Sequence, residues 1–287
     1  MRYRAHAKIN LTLDIQGRED DGYHLVQTVL QEISLCDEIE IEKIEGESEG
    51  DFMVRFGGDE ANTIDPLNNT VMAAIDVIGE NWDFDHSYRI VVHKRIPVGA
   101  GLGGGSSDAA AVIKAFNELE KFKLTNDELR EIAAQVGTDV PFFIEGETAL
   151  GIHHGENLKL LPPLSNIPAW QKLHKILVVP NLRQNTKDMY AKVQLEKTNK
   201  NASQTAALLK ALEEKDLEAL LQNMHNDFEL FESMGFDELK EGLMENNAEQ
   251  VLLCGSGTCV IAFSNNPFDL KALSQALPHQ HILDLNQ

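Results

Sequence analysis

The chain is expected to fold as an α+β protein. Strict two-residue alternation marks two strands in the N-terminal part, and amphipathic helix-period stretches follow one another in pairs. Nowhere do strands and helices alternate regularly, as a parallel βαβ sheet would require.

The first strand carries Ala7, Ile9, Leu11, Leu13 and Ile15 on one face and Lys8, Asn10, Thr12, Asp14 and Gln16 on the other. That predicts one buried face, with Lys8 and Asn10 projecting together from its opposite. Glu38-Ile39-Glu40-Ile41-Glu42 reads as a strand with one wet face. A third strand, residues 88–96, runs directly into a glycine-rich segment. A helix is expected to begin at Ser106, with Ala109, Val112, Ile113, Phe116 and Leu119 on one side. The next helix opens with the capping-box pattern Thr125-Asn126-Asp127-Glu128, buries Leu129, Ile132, Ala133 and Val136, and ends at Gly137.

Leu161-Pro162-Pro163-Leu164-Ser165 reads as a connection between lobes, dividing the chain into residues 1–160 and 161–287. A length of 287 residues suits two moderate domains or one large one. Beyond the connection come a strand at 175–179 and amphipathic helices between about 204 and 231. Two strands, 251–254 and 259–263, then flank Gly255-Ser256-Gly257.

Composition narrows the function classes. No apolar run reaches the length of a membrane span, and the charged amino terminus lacks the apolar region of a signal peptide. A cytoplasmic protein is expected, as a monomer or weak homodimer. Cys36, Cys254 and Cys259 are odd in number and lack zinc-ligand spacing, so reduced thiols are expected. The formal charge of −21 repels nucleic acid. It also repels ATP, so a phosphate site must be built locally from backbone N–H groups and a few placed cations.

The most informative stretch is Pro97-Val98-Gly99-Ala100-Gly101-Leu102-Gly103-Gly104-Gly105-Ser106-Ser107-Asp108. Five glycines in seven positions allow close backbone approach to a ligand. The helix that follows offers unpaired N–H groups and its positive dipole end, a combination that binds phosphate. Ser106 and Ser107 add hydroxyls for phosphate or magnesium. Gly99, Gly101 and Gly104 also satisfy the dinucleotide fingerprint GxGxxG, but that motif opens a βαβ unit and here a second helix follows. A Walker A loop needs a lysine after the glycines, and none stands there.

Phosphoryl transfer asks mainly for positioning and charge stabilisation, with help in deprotonating the acceptor. Asp139, in Gly137-Thr138-Asp139-Val140-Pro141-Phe142-Phe143, suits that role, since it follows a helix end on a turn that Pro141 constrains. By itself, an Asp in such a place is more often a solvated turn residue.

The glycine loop resembles the second motif of the GHMP kinases, a superfamily named for galacto-, homoserine, mevalonate and phosphomevalonate kinases. Ala7-Lys8-Ile9-Asn10-Leu11-Thr12-Leu13 resembles the first motif, and Cys254-Gly255-Ser256-Gly257-Thr258-Cys259 the third. The three stand in the family's order and span most of the chain. The resemblance implies a two-lobed fold, with an N-terminal ribosomal-protein-S5-like lobe that binds nucleotide and a C-terminal ferredoxin-like lobe. It implies ATP as phosphoryl donor, Mg²⁺ as its companion, and a small-molecule hydroxyl as acceptor. Pro97, Gly99, Ala100, Gly101, Leu102, Gly103, Gly104, Gly105, Ser106 and Ser107 would contact ATP, and Asn69 matches a family position near the nucleotide. Apart from the resemblance, Lys94 and Arg95 precede the loop within reach of adenosine or phosphate, although strand lysines more often face water. Asp139 would be the base, with Lys8 beside it neutralising charge on the transferring group.

Within the superfamily, Asp21-Gly22-Tyr23-His24 and Thr186-Lys187-Asp188-Met189-Tyr190 resemble the branch whose acceptor is a diphosphocytidyl-linked methylerythritol of the non-mevalonate isoprenoid route. That branch implies substrate contacts from Asn10, Tyr23, His24, Thr186, Tyr190, Gly255, Ser256 and Gly257. Its cytosine would lie between Tyr23 and Tyr190 with His24 on the polar edge. The alternatives are a GHMP kinase of homoserine or mevalonate type and a non-catalytic nucleotide-binding member.

Two features depart from the family pattern. Cys254 replaces a small residue, and His153-His154-Gly155-Glu156 stands where the family often has Gly-Arg-Gly-Glu. Losing the arginine removes a bidentate cation. Successive strand residues point oppositely, so the two histidines are expected to be a surface pair and no protein metal site is anticipated.

Overall fold

A computed structural model describes residues 1–44, 50–58, 61–181, 186–231 and 235–286. In chain order the elements are β1 (Arg2–Arg18), β2 (His24–Ile44), β3 (Phe52–Gly57), α1 (Thr70–Gly79), β4 (Ser87–His93), α2 (Gly104–Leu119), α3 (Asn126–Val136), α4 (Phe142–Glu145), β5 (Thr148–His153) and β6 (Asn157–Leu160). There follow α5 (Pro168–Lys172), β7 (His174–Val179), α6 (Thr186–Ala191), α7 (Ala202–Glu214), α8 (Leu217–Gln222), β8 (His225–Asn226), α9 (Phe236–Glu245), β9 (Gln250–Leu253), β10 (Val260–Ser264), α10 (Leu270–Ala276) and β11 (His281–Asp284).

Contacts divide the chain into two compact units that interleave in sequence. The first comprises Met1–Lys8, Glu32–Val98 and Gly103–Gly146; the second comprises Ile9–Gln31, Gly99–Leu102 and Glu147–Gln287. Residues 161–165 lie inside the second unit.

In the first unit, β4 pairs antiparallel with residues 38–44 of β2 and parallel with β3. Ile39 and Ile41 are buried while Glu42 is exposed, as the alternation predicts. Phe116 of α2 meets Phe52, Phe84 and Tyr88 edge-on, with ring centroids 5.7, 5.0 and 5.1 Å apart. These geometries suit the ring quadrupoles. α2 starts two residues earlier than expected, at Gly104, and its cap is the left-handed Gly103 (φ 71°) with no side-chain cap. Ser106 and Ser107 therefore lie within the first turn. The capping box of α3 is present: Thr125 N–H donates to Glu128 Oε2 (2.8 Å), and Glu128 N–H donates to Thr125 Oγ1 (3.4 Å).

In the second unit, β5 pairs antiparallel with residues 26–31 of β2 and with β6, and β8 lies parallel to β1. A separate antiparallel sheet runs β11-β7-β10-β9. Ile176, Val178, Phe228, Val251, Val260 and Leu273 are among the buried residues of its core. The region expected to be helical up to residue 231 ends instead in the short β8 and a 3₁₀ turn at Asp227–Leu230.

The polar face of β1 is buried as well as its apolar one: Lys8, Asn10, Thr12 and Asp14 are all buried. Buried polar groups need partners, and in the second unit these come from distant segments. Asn10 Nδ2 donates to Thr28 Oγ1 (2.8 Å), and Thr28 Oγ1 donates to the Thr12 carbonyl (2.7 Å). Asp14 accepts from Thr205 Oγ1 (2.6 Å), and its other oxygen lies 2.9 Å from His225 Nε2. Burial works against a charged His225, but the hydrogen bonds to Asp14 and the Asn223 carbonyl, with the Asp14 and Asp227 charges, together outweigh it and raise the pKa above 6.5.

Removing Asp14 strands His225 and Thr205. Asp14→Ala is expected to cost about 3 kcal/mol or more in urea unfolding. A raised histidine pKa contributes stability that is full below the unfolded value and lost as pH rises through the folded one. The gap between variant and parent is therefore widest in mildly acidic solution and narrows above neutrality. A loss below about 1 kcal/mol, flat with pH, would contradict the pairing.

Candidate active site

Lys8 and Asp139 meet in the first unit. Lys8 Nζ lies 3.6 Å from Asp139 Oδ2, with the Lys8 side chain 6% exposed and that of Asp139 41% exposed. The cation is buried and the carboxylate is open, so a ligand hydroxyl can reach the oxygen. Asp139 sits on a turn closed by Val140 N–H to the Gly137 carbonyl (3.2 Å), and α4 follows at once.

The entrance to α2 lies against this pair. A Cβ on Gly103 would stand 2.8 Å from Phe143 Cζ and 3.1 Å from Lys8 Cγ, and its backbone is left-handed, so glycine alone fits without displacement. The first helical bond of α2 is Ser107 N–H to the Gly103 carbonyl (2.8 Å). The N–H groups of Gly104, Gly105 and Ser106 precede it and belong to the orphan donors of a helix N-terminus. Thr70 Oγ1 donates to the Gly105 carbonyl (2.7 Å), tying the start of α1 to the loop. Ser107 is buried and Ser106 half-buried, so Ser106 is the more accessible hydroxyl.

In the second unit, the first half of the loop packs backbone to backbone against the third motif. A Cβ on Gly101 (φ 83°) would stand 1.9 Å from the Cys254 carbonyl oxygen. Gly257 lies as close to Ala100, at 2.2 Å on the same measure. Ala100 and Leu102 point their side chains into the protein and leave only backbone for a ligand. Asn226 Nδ2 donates to the carbonyls of Leu253 (2.9 Å) and Gly255 (2.7 Å), holding the 254–257 turn. Sequence reasoning missed this residue; the polar run His225-Asn226-Asp227 between apolar stretches was its only signal. Ser256 Oγ donates to Thr186 Oγ1 (3.1 Å), so these two substrate candidates are brought together.

The aromatic candidates pair differently from expectation. Tyr23 is 60% exposed, and its ring partner is His154 at 5.2 Å. His24 lies on Tyr190, centroids 4.9 Å apart, and Tyr190 meets Phe228 edge-on at 4.9 Å. Inserting a base between two rings requires about 7–8 Å, two stacking layers. His24 and Tyr190 thus already occupy one another's facing sides. Burial, aided by the Arg18 cation, holds the His24 pKa below the usual histidine value.

Two nucleotide candidates are otherwise engaged. Lys94 is buried, and its Nζ donates to Asp37 Oδ2 (2.5 Å) and Asp108 Oδ2 (2.7 Å). Burial opposes its charge, but Asp108 and Asp37 outweigh that and raise its pKa. Burial pushes the Asp108 carboxyl up, as expected where one cation serves two buried acids. Asp37 also accepts from the N–H groups of Arg95 and Ile96, so the triad anchors the segment before Pro97 to α2. Asn69 caps α1: its Oδ1 accepts from Val71 and Met72 N–H, both at 3.0 Å. Its Nδ2 donates to the Asp65 carbonyl (2.9 Å).

His153 and His154 do not point oppositely. His153 has φ 69°, which breaks strand alternation and leaves the two ring centroids 3.9 Å apart beside Glu19.

The glycine loop, the buried lysine with its open carboxylate and the mixed two-unit fold define the class, GHMP kinases. Residues 69–147 match the family model of the GHMP kinases N terminal domain, and residues 208–282 that of the GHMP kinases C terminal. A 4-diphosphocytidyl-2-C-methyl-D-erythritol kinase of Caldanaerobacter subterraneus subsp. tengcongensis is 35% identical over 269 residues, covering 93% of this chain and 88% of its own. One from Clostridium botulinum (strain Langeland) is 36% identical over 263 residues, covering 91% and 89%. A crystal structure of 4-(cytidine 5'-diphospho)-2C-methyl-D-erythritol kinase superposes with a TM-score of 0.74 at 28% identity, covering 99% of this chain and 98% of that one. The chain belongs to the 4-diphosphocytidyl-2-C-methyl-D-erythritol kinase family.

If Lys94 is a structural cation, Lys94→Met leaves two buried carboxylates facing one another. The variant is expected to lose about 3–5 kcal/mol in denaturant unfolding. Unchanged stability with a raised KM for ATP would return Lys94 to the nucleotide.

Proposed function

We propose that this chain transfers the γ-phosphoryl group of ATP to the 2-hydroxyl of 4-diphosphocytidyl-2-C-methyl-D-erythritol. The observation that carries the reading is the 3.6 Å pair of buried Lys8 and open Asp139, with the entrance of α2 against the lysine stem. Family membership supports ATP as donor and this alcohol as acceptor.

In the proposed step the acceptor oxygen attacks the γ-phosphorus, its proton passes to Asp139, and the bond to the bridging oxygen of ATP breaks to release ADP. Lys8 offsets negative charge on the phosphoryl oxygens as it moves, and the N–H groups opening α2 do the same from fixed positions. Backbone donors suit a protein whose net charge is −21, because they bind anions without adding a mobile cation. The glycine cradle fits a phosphate chain, since side chains there would fill the space. Mg²⁺ arriving with ATP would neutralise phosphate charge, with the Ser106 hydroxyl the accessible protein ligand.

Substrate recognition falls to Tyr23, His24, Thr186, Tyr190 and Ser256. His24 and Tyr190 form one platform for the flat cytosine, and the polar ring edge of His24 gives it a hydrogen-bond partner. A site built to hydrogen-bond a base rejects acceptors lacking it more strongly than an apolar site does. The protein is read as a cytoplasmic monomer or weak homodimer acting on small molecules.

Asp139→Asn is expected to lower kcat by ~10²–10⁴ with little change in either KM, measured by ADP release. Equal turnover would remove Asp139 from the mechanism. His24→Ala is expected to raise KM for the cytidine substrate about tenfold while sparing KM for ATP. Preference for homoserine or mevalonate as acceptor would overturn the substrate assignment.

A further inference from the structure

The histidine pair lies at the end of a hairpin, where β5 turns through Gly155 into β6. The left-handed backbone at His153 sets both imidazoles on one side. From the turn that follows β1, Glu19 reaches both of them. Its Oε2 lies 3.0 Å from His154 Nε2, and its Oε1 lies 3.7 Å from His153 Nε2. One ligand atom from each of the three residues falls within 4.8 Å of the others, the sole such group of His, Cys, Asp and Glu among the described residues.

A second carboxylate stands behind the first histidine. Glu156 Oε1 is 2.6 Å from His153 Nδ1, and Glu156 Oε2 accepts from the His154 backbone N–H (2.9 Å). The Glu156 carboxylate on Nδ1 fixes the ring orientation and leaves Nε2 on the Glu19 side, where an entering cation would displace its proton. Metal-ligating histidines are held in this way. Two carboxylates and two imidazoles so close together offer a divalent cation both its charge balance and its ligand atoms.

We infer that Glu19, His153 and His154, oriented by Glu156, form a binding site for a zinc-class divalent cation. Two imidazole nitrogens and one carboxylate suit Zn²⁺, Co²⁺ or Ni²⁺, whereas Mg²⁺ takes an octahedral oxygen set. The three ligand side chains are partly exposed, so the ion can enter and a water can complete the shell. Because His154 also carries the Tyr23 ring, a bound ion would fasten the 19–23 turn to the 153–156 hairpin.

The test uses the full chain stripped with chelator and titrated calorimetrically with Zn²⁺ slightly above neutral pH. One equivalent is expected to bind, with His154→Ala and Glu19→Gln each weakening it at least ~10-fold and Glu156→Gln by ~10–100-fold. Co²⁺ is expected to give the visible absorption of a four-coordinate site, lost in His154→Ala. Metal-free melting curves check that each variant folds. Should the alanine variant misfold, the near-isosteric Glu156→Gln carries the comparison. No saturable binding at millimolar zinc, or isotherms unchanged by the substitutions, would overturn the site and leave a cluster of surface ion pairs.

Discussion

Backbone without a Cβ, in the left-handed region, is the constraint on which both halves of the glycine loop depend. At Gly103 in the first unit it lets the chain pass between Phe143 and the stem of Lys8 and enter α2 directly. At Gly101 in the second unit it lets one loop rest on the carbonyl of Cys254. In each case the nearest atoms belong to chain segments far away in sequence. A side chain at either position would have to displace them, at a cost that no local adjustment relieves.

That constraint matters because the two lysines beside the start of α2 are both paired with carboxylates. In the first unit Lys94 is committed to Asp37 and Asp108, and Lys8 is paired with Asp139. The two pairings differ in kind. Around Lys94 both partners are buried, so the charges hold the loop in place. Beside Lys8 the carboxylate is open, and the separation of 3.6 Å is looser than a tight charged hydrogen bond. An ion pair that is half open and slightly long can exchange partners with a ligand; a triad sealed on all sides cannot. Burial therefore separates the lysine suited to chemistry from the one suited to scaffolding.

Much of this was legible in the sequence because it rests on local patterns. The capping box at Thr125, the apolar face of α2, the strand pair around Gly255 and the glycine run each depend on neighbours a few residues apart. What escaped depends on partners that local periodicity does not encode. The polar face of β1 is buried because His225 and Thr205 come to Asp14 from the far end of the chain. Lys94 reads as a nucleotide contact because Asp37, which engages it, stands in another strand. The histidine pair was misplaced because one residue takes a positive φ, against the preference of any side-chain-bearing residue. The two units interleave because β1 and β2 each run through both, which no single cut in the chain expresses.

A crystal structure with a non-hydrolysable ATP analogue and the intact acceptor alcohol tests the central claim most directly. The account predicts a γ-phosphate within reach of Lys8 Nζ and of the N–H groups that open α2, with the acceptor 2-hydroxyl hydrogen-bonded to the Asp139 carboxylate. An acceptor hydroxyl held by another residue, with Asp139 left facing water, would contradict it.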